Sequence, residues 1–350
     1  MKAGVLTAPQ RIEIQDVEGP RIGGMEVLVK LKYCGICTLE QRMYSGQIKF
    51  HYPVIPGHEA SGVVEEIGEE VRILRDDLKP GATVALDLVS RCGECYYCRT
   101  GASNLCLNRY KDGGRILGGF GEYRAVSSKQ VFPVPEELPL AEAAFAEPVA
   151  CCIRSLKKIE LSLAEDLLIV GAGPMGMMHL MVGQCMGARI FISDPDKERL
   201  RAASEAGAFL TIDPTREDLP ALIQAHTDGR GVDACVVTSP AAAALQSAFA
   251  GTAAGGRIII YTSYNEKTPL PTDANTIHKA EILVAGSEGR TEEDFLQAVR
   301  LLVFGKVKVG SLISRRVPFS GLEAGIKAAM TATTYRVLLD HEAEVLEPGK

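Results

Sequence analysis

"DLLIVGAGPMG", residues 166–176, decides how this chain is read. An apolar run from Leu167 to Val170 stops abruptly at Gly171, and glycines recur at 173 and 176. This is the G-x-G-x-x-G spacing at the end of a predicted strand, with a helical run behind it. Gly171 permits a tight turn. Gly173 lets the backbone approach a pyrophosphate, and Gly176 lets helix pack on strand. Pro174 and Met175 lie inside the same loop. The helix N-terminus then presents free N–H groups to phosphates. The motif alone is weak, but the next predicted strand, "RIFISD", ends in Asp194. That is the distance expected for an acid that binds the adenosine ribose hydroxyls, and its charge repels a 2′-phosphate, favouring NAD over NADP. Helix capping is the plainer role open to Asp194.

The same region, 167–192, is apolar enough to suggest a membrane span. The Gly/Pro break and the presence of His179, Gln184 and Arg189 argue instead for a buried strand, turn and helix. Farther out, strand-like runs such as "ACVVTS", "GRIIIY" and "EILVAGS" alternate with helical stretches from about residue 140 onward. This pattern predicts a parallel sheet with helices on both faces. Residues 1–90 read differently, as short strands ("EVLVKLKYCGI", "ASGVVEEIG", "GATVALDL") broken by Gly and Pro, in the manner of an all-β barrel-like domain. A length of 350 residues suits two such domains.

A net charge of −6 with no basic run argues against a nucleic-acid partner. The start, "MKAGVLTAPQ", lacks a signal peptide's apolar core, so a cytoplasmic setting without a membrane partner is expected. Ten cysteines then point to metal or redox chemistry rather than disulfides. Four of them, Cys92, Cys95, Cys98 and Cys106, fall in "CGECYYCRTGASNLC". C-x2-C spacing lets pairs of thiolates reach one ion, and four thiolates leave no open position, so this loop predicts a structural zinc site. Disulfides or free thiols are the alternatives.

Two more features complete the pattern. "CGICTLEQR" carries Cys34 and Cys37, and "PGHEASGVVEEIGEEV" sets His58 beside Glu59 after a Pro-Gly turn. Gly57, His58, Glu59, Gly62, Gly68 and Val71 meet the signature G-H-E-x2-G-x5-G-x2-V. With the four-Cys loop and the Gly-rich turn in sequence, essentially the whole chain resembles the zinc-containing medium-chain dehydrogenase/reductases, which include alcohol, sorbitol and threonine dehydrogenases.

The resemblance implies an α/β fold. A GroES-like β-barrel-type catalytic domain would take residues 1–151 and 301–350, with the structural-zinc lobe at 91–107. A Rossmann doubly wound coenzyme domain would take 152–300. It also implies two zinc ions per chain, NAD, an alcohol or ketone substrate, and a homodimer or homotetramer. Cys37 and His58 correspond to catalytic zinc ligands, and Glu59 to a ligand that exchanges with water. The remaining protein-side group is Glu147, in "FAEP" as in the sorbitol and threonine branch, or Cys151, which stands where yeast-type enzymes place theirs. Cys34 is then a packing residue; a redox pair with Cys37 is the alternative. Arg336, in "TTYRVLL", corresponds to an Arg that reaches the coenzyme pyrophosphate, and Arg199 to a neighbour of the adenosine ribose. One position departs from the family. Leu39 stands where a Ser or Thr relays the alcohol proton, and Arg42 where a His often follows. Glu40, Glu59 or a water chain is left to carry the proton, or the fold performs another reaction, such as C=C reduction or a redox-neutral elimination or epimerisation.

Overall fold

The computed structural model describes residues 1–48, 50–109, 118–264 and 266–343. The chain divides into two compact units, residues 1–150 with 290–350, and residues 151–289. The first is built on a seven-stranded sheet. Strand Glu26–Gly35 lies at its centre, between Arg336–Asp340 and Glu59–Ile67, and also pairs with Tyr123–Ser127. Thr83–Asp87 and Val131–Pro133 extend the sheet on one side and Ile313–Val317 on the other. A separate hairpin joins Lys2–Ala8 to Arg11–Asp16.

The alternation in "EVLVKL" explains the central strand. Val27, Val29 and Leu31 point into the core, while the residues between them are only half buried. Gly62 lets the strands approach closely, since a Cβ there would collide with the Lys30 carbonyl and the Val29 side chain. The strand ends at Gly35, and helix Thr38–Ser45 follows almost at once, closed by Gly46 in the left-handed conformation (φ 76°).

The second unit is a six-stranded parallel sheet. Numbered by order along the chain within the unit, its strands run 3-2-1-4-5-6: Leu210–Ile212, Arg189–Ser193, Asp166–Val170, Val232–Val237, Thr252–Ile260, Leu283–Gly286. This is the doubly wound order that places a ligand crevice beyond the first strand's carboxyl end. Strand Asp166–Val170 is buried throughout, as its unbroken apolar run requires. The apolar stretch after it is a helix of 12 residues, Pro174–Cys185. No described helix is long and apolar enough to cross a membrane.

Residues 290–300 cluster with the first unit, where the sequence alone put the return at 301. The reason is electrostatic. Arg290 pairs with Asp87 and Glu147, and Glu292 accepts a hydrogen bond from Ser103, all within the first unit.

Candidate active site and metal centres

The four-Cys lobe is shaped by short local structure. A one-turn helix, Tyr96–Arg99, and a 3-10 turn, Ser103–Leu105, fold the chain back on itself. Cys92, Cys95, Cys98 and Cys106 thereby bring their sulfurs within 4.8 Å of one another. The separations are 4.0 Å for Cys92–Cys98, 4.0 Å for Cys95–Cys106 and 3.6 Å for Cys92–Cys106. These are too long for a disulfide, and all four cysteines are free. They match the edge of about 3.8 Å that a tetrahedron with ligands at about 2.3 Å requires.

Backbone N–H groups serve the same sulfurs. Cys92 N and Asn108 N donate to Cys106 Sγ, and Cys95 N donates to Cys92 Sγ, each at 3.4 Å. N–H groups of Glu94 and Cys95 bring the Cys92 thiol down to about 6. Burial, with the neighbouring thiols, pushes Cys98 up to about 12. Four sulfurs so close cannot all ionise without a cation among them. Cys98→Ser is therefore expected to cost one zinc equivalent per chain by elemental assay and about 2 kcal/mol of stability, several degrees in Tm. Full zinc content with an unchanged Tm would refute a metal role for the lobe.

The second cluster gathers Cys37, His58 and Glu59, whose ligand atoms also lie within 4.8 Å of one another. Cys37 caps helix Thr38–Ser45, and Glu59 opens strand Glu59–Ile67 just after the Gly57 turn (φ 94°). Cys34 plays no part in it. Its thiol is buried where a Cβ on Gly57 or Gly119 would strike it, and burial pushes its proton affinity well up. Glu40, which the sequence offered as a proton carrier, is sealed from water at 1% exposure. Its carboxylate accepts from the Cys37 N–H (3.0 Å) and the Gly57 N–H (3.2 Å), and lies 2.7 Å from His58 Nδ1. It fixes the Nδ1–H tautomer and leaves the Nε2 lone pair for a metal, the usual work of an outer carboxylate. Burial opposes a charge on His58, yet Glu40, Cys37 and Glu147 together raise its proton affinity well above the ordinary value.

Around these donors runs a chain of buried ions. Arg336 Nη2 lies 3.2 Å from Glu59 Oε1, and burial pushes the Glu59 carboxyl up against that pull. Glu59 faces Asp87 across the sheet. Asp87 binds Arg91 at 2.6 Å and Arg290 at 2.7 Å. Arg290 in turn binds Glu147. Four carboxylates (Glu40, Glu59, Asp87, Glu147) thus meet three guanidiniums (Arg91, Arg290, Arg336), all these side chains being nearly sealed from water. Among the described residues, carboxylates thus outnumber guanidiniums around these donors, a surplus of acid that a cation would offset.

The sequence missed Arg290 and Asp87; nothing local marks either. The structure sets Arg336 against Glu59, a contact that the sequence did not indicate. Among the described residues, neither Glu147 nor Cys151 belongs to the Cys37 cluster.

In the second unit the Gly-rich turn has the conformation its spacing predicts. Gly171 adopts φ 108°, and a Cβ on Gly176 would collide with the Gly171 carbonyl. Gly173 caps helix Pro174–Cys185. Asp194 is buried at the end of the second strand, accepting from Ala172 N at 2.7 Å and Asp196 N at 2.9 Å. Arg199 Nη1 lies 3.9 Å from Asp194 Oδ2, and near enough that a Cβ on Gly173 would touch it. Asp194, Arg199 and the three glycines therefore meet at one loop.

Beneath the loop His179 is wholly buried, with Nδ1 2.8 Å from the Met175 carbonyl and Nε2 2.5 Å from Ser155 Oγ. Burial brings it down to about 4, below the value of about 6.5 expected in the unfolded chain. A depressed histidine contributes stability above pH 6.5 that is lost as pH falls towards 4. The loss is on the order of 3 kcal/mol. The urea midpoint of His179→Gln should therefore lie below that of the parent at pH 7, with the gap narrowing or reversing at pH 4.5. A constant gap would exclude the effect.

Comparison with known proteins agrees with this geometry. The model of the alcohol dehydrogenase GroES-like domain matches residues 23–136, and that of the zinc-binding dehydrogenases residues 174–303. An alcohol dehydrogenase of Geobacillus stearothermophilus is 32% identical over 316 residues, 88% of this chain and 90% of the relative. The D-arabitol-phosphate dehydrogenase of Enterococcus avium is 29% identical over 334 residues, 94% of each chain. The structure of a zinc-binding dehydrogenase from Sinorhizobium meliloti 1021 bound to NADP superposes with a TM-score of 0.89 at 29% identity, over 97% of this chain and 99% of that one. A GroES-like match in the unit that holds both sulfur clusters, and a zinc-dehydrogenase match in the unit with the 3-2-1-4-5-6 sheet, lead to one assignment: the chain belongs to the zinc-type medium-chain dehydrogenase/reductases, the family of the zinc-dependent alcohol dehydrogenases.

Proposed function

We propose that this enzyme oxidises a secondary alcohol of polyol or sugar-derived character to the ketone, passing hydride to NAD, with one catalytic and one structural zinc per chain. The observation that carries the reading is the Cys37, His58 and Glu59 donor set, whose ligand atoms lie within 4.8 Å of one another beside buried carboxylates that outnumber the guanidiniums. A bound zinc there supplies Lewis acidity towards a substrate hydroxyl. The chain's own residues do the rest. Cys37 and His58 hold the metal, Glu40 keeps the His58 ring in register, and Arg336 balances Glu59. Leu39 has no proton to pass, so the proton leaves by water rather than through a side-chain hydroxyl at that position. The similarity to an arabitol-phosphate dehydrogenase supports a polyol-like substrate. Asp194, at the ribose end of the Gly-rich loop, supports NAD, with Arg199 beside it.

The test is a rate screen over polyols, sugar acids, amino alcohols and cyclitols, with NAD and NADP in parallel. A secondary alcohol should give net NADH, and Asp194→Ala should narrow the preference for NAD by about tenfold, the size of an electrostatic contact of 1.4 kcal/mol. A parent enzyme that already prefers NADP would overturn the role given to Asp194. Coenzyme binding without net reduction across the whole panel would overturn the dehydrogenase reading itself.

A further inference from the structure

The carboxylate of Glu147, which the family resemblance offers as a metal ligand, is held beside the metal pocket by Arg290. Its partner Arg290 is held through both terminal guanidinium nitrogens and its backbone carbonyl. Its guanidinium donates to Glu147 Oε1 and, at 2.7 Å, to Asp87 Oδ1. Its own carbonyl accepts from Arg91 Nη2 at 2.8 Å. Arg91 Nη1 reaches the other Asp87 oxygen at 2.6 Å and the Val89 carbonyl at 3.2 Å. The Phe295 ring lies 5.9 Å from the Arg290 guanidinium carbon. The Arg290 and Asp87 side chains are exposed by only 4% and 1%. A cation so anchored cannot follow Glu147 if that carboxylate turns to a metal. Breaking a buried ion pair leaves an uncompensated charge, which makes the turn costly.

We infer that Arg290 is a positioning residue that withholds Glu147 from the metal, so that Cys37, His58 and Glu59 are its protein ligands and the fourth position stays open for the alcohol. This rests on the metal-site reading above. The fork reaches both carboxylates at once, which a lysine, a point donor, does less well. Asp87, its second anchor, pairs in the sheet with Glu59, so the latch is built into the same strands that carry the ligand. Arg91 immediately precedes Cys92, so the latch also borders the four-Cys lobe.

Co2+ exchanged into the Cys37 pocket of the zinc-loaded protein tests this. Its thiolate charge-transfer and d–d bands report the ligands independently of turnover, and a tetrathiolate spectrum identifies any exchange in the lobe. In Glu147→Gln the bands should be those of the parent, and Co2+ affinity by chelator competition should fall less than about tenfold, the low end for an outer-sphere change. In Arg290→Gln the freed carboxylate should enter the coordination sphere. The d–d bands then shift, affinity rises about tenfold or more, the effect of an added ligand of at least 1.4 kcal/mol, and kcat falls while KM changes little. Arg290→Gln/Glu147→Gln should return the parent bands, and Arg290→Lys should keep them. Parent bands that change in Glu147→Gln alone would make Glu147 a ligand and overturn the inference, and that arm stands even if Arg290→Gln does not fold. Unchanged bands in a folded Arg290→Gln would overturn it too. Absence of any Co2+ binding outside the lobe would instead overturn the metal-site reading beneath it.

Discussion

Cys37→Ala is expected to lower kcat/KM by at least ~10³-fold, roughly 4 kcal/mol of transition-state stabilisation. The thiol at the head of helix Thr38–Ser45 is one of three donors that converge within 4.8 Å, and it is the only sulfur among them. Its loss removes both a ligand atom and a potential negative charge from the cluster. Zinc content should drop by about one equivalent, because the four-Cys lobe is built from other residues. Cys34→Ala is the control. Its side chain packs among Gly57, Gly119 and the sheet, so the change should cost about 1 kcal/mol or less and leave activity near normal. Equal losses in the two variants, with both zinc ions retained, would mean that the cysteines act as a dithiol, and the metal account of Cys37 would have to be given up.

Arg336→Met should destabilise the fold by about 3–5 kcal/mol, the usual cost of leaving one member of a buried ion pair alone. Burial alone would weaken the Arg336 cation, but Glu59, Cys37 and Glu147 hold it firmly protonated. Methionine fills similar volume and carries no charge, so Glu59 would face Glu147 and Glu40 without its counterion. Urea unfolding of metal-loaded protein reads the loss directly, and NADH titration separates the alternative. A stable variant whose NADH Kd rises tenfold would return Arg336 to the coenzyme role that the family resemblance implies.

The parts of this molecule that could be read from sequence are those written in local spacing. The strand, Gly-rich turn and helix at 166–185 follow from one apolar run and three glycines, and the parallel sheet from the strands that alternate with helices after it. The four-Cys lobe is equally local. Its first and last ligands are 14 residues apart. The ion chain was not legible, because its partners are distant. Asp87 and Arg290 stand 203 residues apart, and a lone Asp at a strand end or a lone Arg after a Gly has no pattern to mark it. Glu40 shows a different limit. Its position three residues after Cys37 was visible, but its seclusion and its hold on His58 belong to tertiary packing, and they turn a supposed proton carrier into an orienting group. Residues 110–117 lie outside the described residues.

The strand Arg336–Asp340 lies against Glu26–Gly35, and Arg336 reaches back 300 residues to the Ile36 carbonyl. At ribosomal rates of about 5–20 residues per second, roughly 15–60 s separate the emergence of these two segments. Through that interval a nascent chain exposes Cys37, His58 and Glu59 without the strand that completes their sheet or the arginine that balances their charge. The lobe's four ligands emerge within seconds of one another. The four sulfurs of the lobe are therefore together on the nascent chain early, whereas the surroundings of Cys37 are complete only after nearly the whole described chain has been made.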